Sequence, residues 1–280
     1  MFGRLVTFGI ALLSLGAMAE TPQERGAYLV NTVAACGNCH TPFGPNGPDM
    51  SKALSGRLVT KEEHFDAYAP NITQDKKTGI GGWTDAQIAK AIREGIRPDG
   101  SIIGPPMPMG LYRGLSDTDL NAMVTYLRTV KPVNKVMPKS IYRIPLPPAY
   151  GPPVGHVADV PEGVTVEYGA YLAGPVAHCV ECHSTPGPMG PDWTNALGAG
   201  GMPFAGPWGI SVAPNLTPHK DGIRDLTDAQ VATMITSGTR PDGSKMFPPM
   251  GYGYYAQMKP DDVAAIVKYL RSIPALPNSK

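Results

Sequence analysis

The sequence has no excess of either charge. Over 280 residues, 24 Lys and Arg stand against 23 Asp and Glu, a formal net charge of +1. So balanced a chain lacks the basic bias that a polyanion requires, and no nucleic-acid partner is expected. A long apolar run is also missing: the best candidate, Leu5 to Gly16, falls short of the ~20 residues that cross a bilayer. Cysteine is scarce and confined. The four present are Cys36, Cys39, Cys179 and Cys182, and no thiol stands outside their two short stretches.

Glycine and proline, by contrast, are abundant at 33 and 31 residues, which points to short helices set among loops and turns. The short apolar run also fits a purpose. Arg4 precedes it and Ala17-Met18-Ala19 follows, giving the charged start, apolar centre and small-x-small end of a secretory leader. Residues 1–19 are therefore expected to be a signal peptide cleaved after Ala19, the alternative being an uncleaved anchor. Without Arg4 the chain has 23 basic and 23 acidic residues.

Both cysteine pairs are written C-x-x-C-H: Cys36-Gly37-Asn38-Cys39-His40 and Cys179-Val180-Glu181-Cys182-His183. This is the attachment signature of a c-type haem, in which two thiols form thioethers to the vinyl groups and the next imidazole binds iron. A disulfide, a zinc site and a thioredoxin-like pair also use C-x-x-C. A thioredoxin pair, however, has no reason to be followed twice by His, and a zinc site needs no Pro/Met-rich loop downstream. The reading is therefore two covalently bound haem c groups, attached through Cys36, Cys39, Cys179 and Cys182. Haem of this type is attached outside the bacterial cytoplasm, which agrees with export to the periplasm.

The chain is a tandem repeat. Cys36 and Cys179, His40 and His183, and Met107 and Met250 are each 143 residues apart. The same interval relates Glu24 to Leu29 with Glu167 to Leu172, Thr84 to Gln87 with Thr227 to Gln230, and Arg97 to Ser101 with Arg240 to Ser244. Only Pro70-Asn71-Ile72-Thr73 and Pro214-Asn215-Leu216-Thr217 lie 144 apart. Two domains of one fold follow, over 20–131 and 163–280, each with one haem. Residues 132–162 are rich in proline, which fixes extended backbone, and form a semi-rigid linker that either hangs free or wraps one domain.

Each domain is mainly α. One helix starts at about Pro22, capped by Thr21, and leads into the first motif; its copy approaches Cys179. The spacings Thr84-x-x-Gln87 and Thr227-x-x-Gln230 are capping boxes opening a second helix. A last helix begins near Ser116 in one copy and near Pro260 in the other. Its buried stripe is Leu120, Met123, Val124 and Leu127, matched by Val263, Ile266, Val267 and Leu270. Gly26 and Tyr126, repeated as Gly169 and Tyr269, predict that first and last helices cross closely.

In this order of motifs the chain resembles class I c-type cytochromes, specifically dihaem proteins like the cytochrome c subunits of bacterial alcohol, aldehyde and gluconate dehydrogenases. The resemblance covers nearly everything after Ala19, with two haem motifs where alcohol dehydrogenase subunits typically carry three. It implies His40 and His183 as proximal iron ligands and a Met thioether from a proline-rich loop as the sixth. Pro105-Pro106-Met107 aligns with Pro248-Pro249-Met250, which selects Met107 and Met250. Met109, separated from Met107 by Pro108, is the rival because the family loop often reads M-P.

His64, His156, His178 and His219 have no counterpart in the other copy and are read as surface or loop residues. Arg97 and Arg240, together with Asn71 and Asn215, are candidates for contact with haem propionates, against a plainer role in turns.

The resemblance implies single-electron transfer from a donor dehydrogenase to an acceptor cytochrome or terminal oxidase, with peripheral membrane association through the complex. With both axial positions filled, no substrate chemistry is expected and no catalytic residue is assigned. The alternative is a peroxidase-like dihaem enzyme with one haem open or His-ligated.

Overall fold

A computed structural model describes residues 20–45, 47–188 and 190–278. The expected leader over 1–19 lies outside them.

In the first repeat α1 spans Pro22–Tyr28. The Thr21 hydroxyl accepts from the Glu24 amide while the Glu24 carboxylate accepts from the Thr21 amide, so two otherwise free donors are satisfied. The helix loosens into a π turn over Leu29–Val33 and halts at Ala35, whose φ of 45° is left-handed. The one-turn helix α2, Cys36–His40, follows. Next comes an antiparallel hairpin of β1, Arg57–Lys61, and β2, Phe65–Ala69. Helix α3, Asp85–Glu94, opens on the Thr84–Gln87 capping box and closes on left-handed Gly95. A short α4, Met109–Tyr112, precedes α5, Asp117–Leu127, which is capped by Ser116.

The linker does not hang free. Its Ile141–Tyr142 segment is strand β3, paired with the outer edge of β2. Further along, Thr118 donates to Asp159, and the Asp117 amide donates to the Val157 carbonyl. The linker thus wraps the first repeat.

The second repeat retraces this course. It holds α6 at Val166–Tyr171, a π turn at Leu172–Val176, left-handed His178, and α7 at Cys179–Cys182. Strands β4, Pro203–Gly206, and β5, Gly209–Val212, form a two-stranded hairpin. Helices α8, Asp228–Ser237, α9, Tyr252–Tyr255, and α10, Pro260–Ser272, complete it. The described chain is thus mainly α with short strands that the helical periodicity does not reveal.

The expected helix crossing is present in both copies. A methyl group on Gly26 would stand 1.9 Å from the Ala122 carbonyl oxygen, and one on Gly169 the same distance from that of Ala265. Only hydrogen fits between these backbones. Around the crossing the anticipated stripes are buried: Leu120, Met123, Val124 and Leu127 on α5, and Val263, Ile266, Val267 and Leu270 on α10, are at most 5% exposed. Each such side chain contributes roughly 1.5–3 kcal/mol by leaving water. Arg128 donates to the Trp83 carbonyl and Arg271 to that of Leu226. Because the backbone is what is used, Trp in one copy and Leu in the other serve equally.

The repeats meet about a pseudo-twofold axis. Tyr28 donates to Asp262 at 2.6 Å, and Tyr171 donates to Asp119 at 2.7 Å. Tyr28 and Tyr171 are counterparts, as are Asp119 and Asp262. On the axis, Arg25 touches its own counterpart Tyr168 at 3.4 Å and holds Asp119 through two bonds of 2.8 and 2.9 Å.

Candidate functional site

The chemistry sits where each one-turn helix meets the loop after its hairpin. His40 and His183 are both buried, each 6% exposed. Nδ1 of His40 lies 2.8 Å from the Pro70 carbonyl oxygen, and Nδ1 of His183 lies 2.8 Å from that of Pro214. A carbonyl only accepts, so Nδ1 carries the proton in both rings and Nε2 keeps its lone pair for a metal. Burial lowers the pKa of both imidazoles, holding them neutral as a ligand must be.

The four thiols are unpaired. Burial pushes Cys36 up to about 12 and Cys179 up to about 11. Cys182 is pushed up to about 12 by burial, with Glu181, Cys179 and, from across the boundary, Cys39 adding to the rise. These are not the lowered values of a reactive redox pair. Among the described residues no three His, Cys, Asp or Glu side chains gather as a zinc site requires. One free imidazole nitrogen beside two thiols is instead the donor set that a thioether-linked haem uses.

Met107 and Met250 are both half-buried and pack against the hydrophobic core. Met109 is 1% exposed at the start of α4, where it lies against Gly95. Its counterpart Tyr252 lies against Gly238 in the same manner.

The remaining sequence candidates divide. Arg97 donates to Ser101 Oγ and the Ile102 carbonyl, and Arg240 to Ser244 Oγ and the Lys245 carbonyl. Each braces its own turn, the plainer of the two readings. Asn71 donates to the Val133 carbonyl and Asn215 to that of Leu276, so both pin the chain that leaves the last helix. His178 is a half-buried loop residue just before α7, and its ring stands edge-on to Tyr112 of the other repeat at 5.9 Å.

That boundary holds residues no local pattern revealed. Asn38, inside the first motif, donates to the Pro249 carbonyl of the second methionine loop at 3.0 Å. Trp193 donates to the Val180 carbonyl in the second motif and covers Gly110, just past the first methionine loop. The first motif thus contacts the second methionine loop directly, and the second motif reaches the end of the first loop through Trp193; Tyr112 and Tyr255 are buried, at 3% and 8% exposure.

A family model for cytochrome c matches residues 23–131 and again 166–274. The chain belongs to the cytochrome c family. It is a cytochrome c of two domains and carries two covalently bound haem c groups. It is 33% identical to the cytochrome c subunit of a quinone-type alcohol dehydrogenase from Gluconobacter oxydans, over 97% of this chain and 60% of that one. It is 33% identical to the fructose dehydrogenase cytochrome subunit of Gluconobacter japonicus, over 92% and 54%. A dihaem cytochrome c-type protein of Cereibacter sphaeroides is 30% identical, over 86% and 82%. The chain thus spans about three-fifths of the length of the dehydrogenase subunits it matches.

Among the described residues no helix of this cytochrome is long and apolar enough to cross a membrane.

Proposed function

We propose that this cytochrome is an exported, periplasmic relay that takes single electrons from a dehydrogenase and passes them to a downstream cytochrome or terminal oxidase. The thioethers form at Cys36, Cys39, Cys179 and Cys182, the proximal ligands are His40 and His183, and the sixth ligands are Met107 and Met250. One observation carries this reading: the 2.8 Å bonds from both histidine rings to proline carbonyls leave one oriented Nε2 per domain. The haem supplies an iron that cycles between Fe(II) and Fe(III). The chain's own residues hold it, exclude water and set its potential, a soft thioether favouring the reduced ion.

Met107 is preferred to Met109 on packing. A place taken by Met109 in one repeat and by Tyr252 in the other, each against a helix-capping glycine, is a core place. Met107 and Met250 remain as the matched pair. The bond from Asn38 to Pro249 and the bridge that Trp193 makes between Val180 and Gly110 support transfer between the haems within one chain. The names of the relatives, cytochrome subunits of alcohol, fructose and gluconate dehydrogenases, support a dehydrogenase as the partner.

The test is a redox titration of the purified holoprotein followed by optical and magnetic spectra. Two low-spin His/Met haems are expected. A high-spin or bis-His centre would overturn the ligand assignment for its domain and favour a peroxidase-like enzyme.

A further inference from the structure

The two repeats differ most on one face. In the first, β2 has a neighbour on each side, because linker strand β3 pairs Tyr142 with Phe65 and Ile141 with Asp66. The linker continues across the methionine loop: Tyr142 donates to the Pro105 carbonyl at 3.1 Å and Tyr150 to the Ile103 carbonyl at 2.8 Å. Asp66, which faces this cover, is paired with Arg143 at 2.6 Å. In the second repeat the strand equivalent to β2 is β5, and among the described residues its only strand neighbour is β4. Where Asp66 stands in the first copy, the second has Ile210, 73% exposed; Val212 beside it is 57% exposed. Phe247, 58% exposed, replaces Gly104 in the methionine loop. Ser211 donates to the Pro248 carbonyl at 2.7 Å and joins this strand to the loop that ends in Met250.

A free strand edge with large apolar side chains invites pairing unless it is covered or charged, and this one is neither. The molecule itself shows what covers such a face: an extended, proline-containing segment that adds a strand and crosses the methionine loop. We propose that β5, with Ile210, Val212 and Phe247, is the docking site of a redox partner protein, which adds an extended apolar segment as a third strand beside the second haem. The proposal rests on the electron-relay reading and deepens it: the first methionine loop is covered by its own linker, and the second haem is the one at which this partner exchanges electrons. Ile210 in place of Asp66 calls for an apolar residue opposite it, as Ile141 is in the first repeat. Phe247 in place of Gly104 fills the space over which Tyr142 lies, so the incoming strand carries a small residue at that point. Main-chain bonds supply the affinity of such strand addition and the side-chain match its selectivity.

The test uses the holoprotein and a synthetic peptide of residues 136–150 carrying Tyr142→Ala, in millimolar excess. Hydrogen exchange of the amides in 209–212 is expected to slow by about tenfold, the change that roughly nine-tenths occupancy produces. The double variant Ile210→Lys, Val212→Lys is expected to keep both haem spectra and lose the protection. Unchanged exchange in 209–212 with peptide present would overturn the proposal, as would protection confined to 65–69. Protection that appears without peptide as protein concentration rises, together with a dimer in ultracentrifugation, would assign the face to a second copy instead. Failure of the relay reading is separable, since it is read from the haem spectra of the unmodified protein.

Discussion

The Tyr28 hydroxyl reaches from α1 of the first repeat to Oδ2 of Asp262 on α10 of the second, at 2.6 Å. Its mirror is the bond from Tyr171 to Asp119, but the two carboxylates are not equally supported. Asp119 is also held twice by Arg25, whereas Asp262 has Tyr168 where Arg25 would be. Asp262 is buried, and burial raises its pKa. Removing the Tyr28 hydroxyl leaves that group short of a partner, at a cost of about 1–3 kcal/mol. Tyr28→Phe is therefore expected to destabilise more than Tyr171→Phe in denaturant unfolding. Equal losses would show that the Arg25 pairing does not compensate.

The helix crossings are expected to reject even one methyl group. Gly26→Ala and Gly169→Ala would each drive a carbon to 1.9 Å from a backbone oxygen, which the helices relieve only by moving apart. Overpacking of this kind costs about 1–3 kcal/mol or more. Gly253→Ala is the control, since nothing lies within 4 Å of its added carbon. It is expected to be neutral or slightly stabilising, and thermal unfolding of the three variants checks the contrast.

The linker's hold on the first repeat is expected to weaken in acid. The Asp117 carboxyl is lowered to about 2 by its bond to His156, then by that to Arg93, with the Val157 amide adding to the effect. A carboxyl depressed in the folded state contributes stability above its unfolded value near 4 and loses it as pH falls towards 2. The difference in unfolding midpoint between the protein and Asp117→Asn should thus grow as pH rises from about 2 to about 4 and then level off. A difference that does not vary with pH would remove Asp117 as its source.

Substitution of the proposed sixth ligands is expected to act one haem at a time. Met107→Ala and Met250→Ala should each turn one of the two haems high-spin and lower its potential, while Met109→Leu leaves both low-spin. Ferric magnetic spectra read the outcome directly. Loss of a low-spin centre in Met109→Leu but not in Met107→Ala would transfer the ligand role to Met109.

Local chemistry made much of this protein legible from its sequence. The C-x-x-C-H motifs are contiguous, and the capping boxes at Thr84 and Thr227 link residues three apart, so neither needs a tertiary structure to be read. The repeat brought distant features into register, and the recurrence of Gly26 and Tyr126 as Gly169 and Tyr269 predicted the helix crossings. The hairpins escaped because their strands are short and only partly buried, and the contact of His178 with Tyr112 because it is made with the other repeat.

The sequence by itself determined two copies of one haem-binding unit, the motifs in each and the helices that frame them, because those depend on residues near one another in the chain or on a copied pattern. Only the tertiary structure decided how the copies meet and which one the linker covers. The mismatch of Arg25 with Tyr168 shows the physical reason. A residue on a twofold axis faces its own counterpart, so two arginines there would repel across a short buried gap. With tyrosine opposite, Arg25 donates both to Tyr168 and to Asp119, a requirement set by the axis and absent from either copy alone.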